Sequence, residues 1–161
     1  LKVQAPRGYD ELVQFYGDPG LWTRDDGTAH PAWESQMVTV MFPTPLPLGW
    51  DKTKRATRAR VHNKLADNLE IVFAQLLDEG AWLRVKTYDG GYTWRSKRGS
   101  KKMSLHAFGG ALDFNAATNG LGNHDFDMPR QVVSVFRRNG WTWGGQWRRP
   151  DAMHFQFGRA Y

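Results

Sequence analysis

The sequence predicts an α+β fold, and three observations carry that reading. Two segments place apolar residues at the three- and four-residue spacing of an amphipathic helix. Several shorter segments alternate like half-buried strands, and turn residues separate all of these without an internal repeat or an interdomain linker. At 161 residues the chain has the length of one domain, enough to bury a core without staples. One catalytic domain over residues 1–161 is the expectation; the chain opens on Leu1 rather than methionine, which fits a processed or trimmed piece of a larger protein.

Asp10 to Tyr16 reads as a short helix, closed by Gly17 and the Asp18-Pro19-Gly20 turn. Asp25-Asp26-Gly27 turns the polar loop that follows. Gln36 to Phe42, rich in valine and methionine, reads as a strand ended by Pro43, Pro45 and Pro47. From Arg58 to Glu79 the residues Val61, Leu65, Leu69, Val72, Phe73 and Leu76 mark an amphipathic helix, with Gly80 as its stop. Trp82 to Tyr88 is expected to be a strand that turns at Asp89-Gly90-Gly91, and a basic loop runs on to Met103. Gly110 to Asn115 is a further short strand. Met128 to Asn139 forms a second helix on Val132, Val133 and Phe136, with Pro129 tolerated in its first turn and Gly140 closing it. Trp141 to Trp143 and His154 to Phe157 supply the last strands. Together they make a small central antiparallel sheet flanked by helices.

The absence of cysteine excludes thiolate zinc fingers, iron–sulfur clusters, cysteine nucleophiles and thiol switches, so any metal must be held by histidine and carboxylate. A net charge of +6 points to an anionic partner. The 22 aromatic residues argue against disorder, and no run reaches the ~18 apolar residues of a membrane span. The N-terminal residues show no apolar signal core.

The chemistry concentrates in Ser104-Leu105-His106-Ala107-Phe108-Gly109-Gly110-Ala111-Leu112-Asp113 and in Asp151-Ala152-Met153-His154-Phe155. Two imidazoles and one carboxylate, with a water, make a catalytic zinc site when no thiolate is present. The paired glycines imply a turn feeding a strand, which puts His106 in a loop and Asp113 on the strand, with His154 on a neighbouring strand. Asp151 then places a second carboxylate near the metal as general base and later acid.

These segments fit Ser-x-His-x-x-Gly-x-Ala-x-Asp and (Asp/Glu)-x-x-His at every fixed position, and so resemble the M15 zinc peptidases. That group includes D-alanyl-D-alanine carboxypeptidases, dipeptidases and the L-alanyl-D-glutamate endopeptidases used as phage endolysins. Tyr92-Thr93-Trp94-Arg95 and Trp143-Gly144-Gly145-Gln146-Trp147 are similar to elements of the phage-type branch. The resemblance runs from about Tyr88 to Phe157. It implies a hedgehog/DD-peptidase-like fold and one zinc ion on His106, Asp113 and His154. It further implies Asp151 as base and Arg95 as the group that assists at the scissile carbonyl. Ser104, Tyr92, Asn115 and Trp143 are candidates for supporting or substrate contacts.

The expectation is a peptidoglycan endolysin cleaving the L-Ala–D-Glu bond of the stem peptide, with a D-Ala-D-Ala carboxypeptidase as the alternative. A basic nucleic-acid-binding protein is the reading from a different class, and no binding motif supports it. The expected enzyme is a monomer without a membrane span. It is made in the host cytoplasm without a signal peptide and acts on the wall after release. His62, read as part of the long helix, is expected on its surface or flank; His124 reads as an ordinary turn residue, with a substrate contact or alternative ligand as the other reading, and His30, just before Pro31, has no evident partner in the sequence. Of Trp141, Trp143 and Trp147, one is expected at the rim of a peptide groove and Trp141 or Trp143 in the core. The runs Lys52 to Arg60 and Arg95 to Lys102 carry five cations each, a solvated surface or an attachment to the anionic cell envelope.

Overall fold

The computed structural model describes residues 3–161. Helix α1 (Gly8–Tyr16) buries Leu12 and Tyr16 and ends at Gly17. The short α2 (Pro31–Glu34) starts on a proline, and the His30 imidazole accepts the Ala32 N–H as its cap. Trp33 of α2 is fully buried and donates its indole N–H to the Ala107 carbonyl at 3.0 Å, which fixes the turn carrying His106.

Strand β1 (Met37–Pro47) runs through all three prolines instead of stopping at the first, and pairs antiparallel with β2 (Arg55–His62). A proline costs nothing in the ladder where its missing N–H faces no partner. In this two-stranded sheet β1 has one neighbour, and the register shifts between Met41 and Leu46, across Pro43 and Pro45. The second strand also corrects the start of the long helix: Arg58 to His62 pairs with β1, so α3 spans Ala66–Asp78. Leu69, Val72, Phe73 and Leu76 are its buried stripe, as the spacing implied.

Past α3 the chain makes a 3-10 turn over Ala81–Arg84, and β3 is only Tyr88–Gly90, shorter than the expected strand. Strands β4 (Ala111–Phe114), β5 (Thr142–Trp143) and β6 (His154–Gln156) complete an antiparallel sheet of order β3-β4-β6-β5. Helices α4 (Ala116–Asn119) and α5 (Arg130–Arg138) lie between β4 and β5 in the chain. Helix α5 buries Val132, Val133, Val135 and Phe136, and Phe136 stacks on Phe155 of β6 with centroids 4.3 Å apart. Asn68 of α3 joins the two helices, accepting from the Trp141 indole at 2.7 Å and donating to the Asn139 carbonyl at 3.0 Å. The α+β class with small antiparallel sheets therefore stands.

His62 is not on a helix flank: it ends β2 and is completely buried, its ring edge-on to Tyr16. Nδ1 accepts the Lys64 N–H, while Nε2 has no well-formed hydrogen bond. Burial, reinforced by the nearby Lys64 charge, pulls its pKa down to about 4. Between that value and the unfolded value of about 6.5 the unfolded chain binds a proton that the folded chain refuses. Stability is therefore expected to fall as pH drops through this window, by about 3 kcal/mol in full. Urea unfolding of the wild type and His62→Gln at pH 7 and pH 5 checks this, since the difference between the two proteins isolates the histidine. Equal pH dependence in both would contradict it.

Candidate metal centre and cleft

His106 sits on a tight turn built for it. Ser104 Oγ accepts the His106 N–H at 3.3 Å, and the Ser104 and His106 carbonyls accept from Ala107 and Gly109. Gly109 takes φ +68°, and a Cβ there would stand 2.5 Å from Met37 Sδ and 2.6 Å from the His62 nitrogen. Both the conformation and the close approach to β1–β2 require glycine. The chain then enters β4, where Asp113 pairs directly with His154 of β6.

The three side chains converge. Asp113 Oδ1 lies 2.9 Å from His154 Nδ1, Asp113 Oδ2 lies 3.3 Å from His106 Nε2, and the two imidazole nitrogens are 3.2 Å apart. All three residues are buried, with ligand atoms within 4.8 Å of one another. Their outer partners decide which atoms are free. His106 Nδ1 is 2.8 Å from the Gly91 carbonyl, which can only accept, so the proton sits on Nδ1 and Nε2 presents its lone pair inward. His154 Nε2 is 2.9 Å from Gln156 Oε1, and the Gln156 amide N–H donates to the Gly158 carbonyl at 3.1 Å. That donation orients the amide so its oxygen faces the ring, which leaves His154 Nδ1 as the inward lone pair.

Two neutral imidazoles and a carboxylate aimed at one point repel each other unless a cation or a proton lies between them. The 3.2 Å between the two imidazole nitrogens is close to the edge of about 3.4 Å in a tetrahedron with zinc–nitrogen bonds of about 2.05 Å, and each nitrogen has one Asp113 oxygen at 2.9 or 3.3 Å. The residues therefore fit a divalent cation of this kind, with one position left for water or substrate. Burial opposes charge on Asp113, yet the His106 and His154 rings, when a proton occupies their inward nitrogens, donate to its carboxyl and hold it well below the usual range. Burial likewise opposes charge on His154, but Asp113 beside it raises its proton affinity. Protons and a metal thus compete for the same atoms.

A cleft of about 350 Å³ opens over this triad. Asp151 lines it from the loop before β6, its N–H held by the Gly144 carbonyl at 2.9 Å. Its Oδ1 is buried without a hydrogen-bond partner, and burial pushes the carboxyl up, against the pull of His154. A Cβ at Gly144 would meet the Asp151 carbonyl at 2.5 Å, so glycine is needed for the loop to close this tightly. Trp147 forms the rim, its ring 5.5 Å from that of His154. Arg95 and Ser104 also line the cleft.

Tyr92, Asn115 and Trp143 are not among the residues lining this cleft. The Tyr92 hydroxyl donates to Glu34 and its ring lies under Arg60. Asn115, at φ +56°, accepts from the Lys86 and Thr87 N–H groups and so fixes the loop before β3. Trp143 donates to the Ala152 carbonyl at 2.7 Å, which braces the Asp151 loop from behind. Trp141 is in the core and His124 is exposed.

Sequence reasoning missed Gln156 and the Gly91 carbonyl. Gln156 carried a signal: two residues beyond His154 on a strand, it shares its face. Replacing it with leucine leaves the His154 ring without its anchor and is expected to weaken metal affinity about 10- to 100-fold. Gln156→Glu, which keeps an acceptor, is expected to retain most of it. Competition titration with a chromophoric chelator measures both, and unchanged affinity in Gln156→Leu would refute the orienting role.

No curated protein matches the chain. Residues 98–157, which carry the whole donor set, Asp151 and Gln156, match a family model described as D-alanyl-D-alanine carboxypeptidase, and this match supports assigning the chain to the M15 peptidases, metallopeptidases acting on cell-wall peptides.

Proposed function

We propose that the protein is a zinc-dependent peptidoglycan hydrolase, a phage-type endolysin that cleaves the L-Ala–D-Glu amide of the stem peptide. The observation that carries this reading is the convergence of three inward lone pairs under a cleft that also holds a buried, unpaired carboxylate oxygen. The phage-like Tyr92-to-Arg95 and Trp143-to-Trp147 elements favour the endolysin. The description of the matching family favours the second reading, removal of terminal D-alanine.

His106, Asp113 and His154 would hold one zinc ion, which when bound polarises the carbonyl and makes a water more acidic. Asp151 takes the proton of the attacking water on its carboxylate and returns it to the departing nitrogen. Its burial supports that role, since a carboxylate that holds its proton more firmly is the better carrier. Arg95, on the exposed side of the cleft, offers a guanidinium to the oxygen on which charge develops. Trp147 narrows access for bulk water.

The protein acts as a monomeric catalytic domain, made in the host cytoplasm and reaching the wall after release. No described helix is long and apolar enough to cross a membrane, and the net charge of +6 suits an anionic envelope. Mass spectrometry of digested peptidoglycan tests the reading. New N-terminal D-Glu on the released stem peptides is the expected result, loss of terminal D-Ala alone establishes the second reading, and intact peptides refute both.

A further inference from the structure

A second groove, of about 930 Å³, lies behind the loop that carries Asp151. The segment Gly145-Gln146-Trp147 divides it from the metal cleft: Gly145 and Gln146 line the groove, and Trp147 lines the cleft. Trp143 joins the two sides. Its ring lines the groove, while its indole N–H holds the carbonyl of Ala152, the neighbour of Asp151, at 2.7 Å. That ring lies against Gly145, where a Cβ would collide with it, and meets Phe126 edge-on with centroids 5.5 Å apart. Met128 and Val133 extend the apolar wall that the two rings begin.

Helix α5 supplies the charge. Arg130, Ser134 and Arg137, four and three residues apart, share the exposed face of α5 that lines the groove. The neighbouring Arg138 is held by Glu79 and Gln75. Arg130 and Arg137, by contrast, form no ion pair among the described residues, and the groove's lining contains no carboxylate. Seven residues of helix set these two arginines about 10.5 Å apart along its axis. The groove thus suits a ligand with more than one anionic group and apolar carbon between them. A polyol phosphate chain offers the charge but makes no use of the apolar wall. A stem peptide offers both, since it carries free carboxylates beside alanyl methyls, and a guanidinium matches a carboxylate with two parallel hydrogen bonds.

We propose that this groove is a second stem-peptide site, in which Arg130 and Arg137 bind the carboxylates of a peptide neighbouring the one under cleavage. This rests on the peptidase reading and deepens it. The wall polymer carries a peptide at every repeat, so the enzyme holds it at two points, one on each side of the Asp151 loop. It then favours a fragment of several repeats over a lone peptide, because the second contact is made within one molecule.

The test compares kcat/KM of zinc-loaded protein on a free stem peptide and on a soluble peptidoglycan fragment of several repeats, counted per peptide. The wild type is expected to prefer the fragment by about tenfold or more. In the double variant Arg130→Gln/Arg137→Gln this preference is expected to fall toward one, with the free peptide cleaved as by the wild type. Arg130→Lys/Arg137→Lys is expected to keep much of it. Zinc content and thermal midpoint, measured alongside, show whether the fold is intact. Equal cleavage of both substrates by the wild type, a preference unchanged in the glutamine variant, or an equal loss on both substrates in that variant overturns the second site and leaves the peptidase intact. A preference confined to fragments that bear a phosphate polymer overturns it in favour of that polymer. Failure to cleave either substrate overturns both readings together.

Discussion

Asp151→Asn is expected to lower kcat about 10²- to 10⁴-fold, the usual contribution of a positioned proton carrier. The asparagine fills the same space and cannot accept and return a proton. The variant should bind zinc as the wild type does, because Asp151 lies outside the triad of converging ligand atoms. It should also fold at least as well. The wild type buries a carboxylate oxygen without a partner, and burial pushes that carboxyl upward, so removing the charge relieves a cost of desolvation. Activity and stability are expected to move in opposite directions, with urea unfolding at pH 7 unchanged or higher by up to about 1 kcal/mol. Peptide hydrolysis, zinc content and unfolding on one preparation decide it. A variant that holds zinc and cleaves at the normal rate removes Asp151 from the mechanism.

Asp113→Ala attacks the other half of the site and is expected to abolish both zinc binding and measurable hydrolysis, a loss of at least about 10³-fold in kcat/KM. Asp113 faces both imidazoles at once, one from each carboxylate oxygen. Without it two uncharged rings remain, too few for a catalytic zinc site. The sharper readout is thermal. Zinc in excess of its Kd by a factor of 1,000 should raise wild-type stability by about 4 kcal/mol, a gain that chelation removes and the variant never shows. A variant still stabilised by zinc would mean that the ion sits elsewhere.

Part of this was legible in the chain and part was not, for physical reasons. Helices α3 and α5 declared themselves because Leu69, Val72, Phe73 and Leu76, and Val132, Val133 and Phe136, repeat on one face. The β1–β2 hairpin was hidden twice. Pro43, Pro45 and Pro47 read as breakers, which they are in a central strand but not beside a free edge and a register shift. Val61 fits a period of four with Leu65 as well as it alternates with Ala59, so the end of β2 looked like the first turn of α3. With β2 unseen, His62 could not be placed in the interior.

The candidate triad was legible because its residue types are chemically restrictive and its glycines are conformationally so. Gly109 is demanded by a contact with β1 and β2, elements remote in sequence, yet its effect on the local turn is visible. The atoms that orient the histidines were less accessible. A backbone carbonyl such as that of Gly91 exists at every position, so only the fold distinguishes it. Gln156 could have been found by strand period, once His154 was taken as a reference.

The pairing of Asp113 with His154 across β4 and β6 has one more consequence. A slip of that ladder by a single residue would turn one ligand to the opposite face of the sheet, since side chains alternate along a strand. Metal affinity is thus a direct gauge of strand alignment. In a refolding reaction the appearance of tight zinc binding would time the moment at which two segments 41 residues apart lock into register, without any probe attached to the chain.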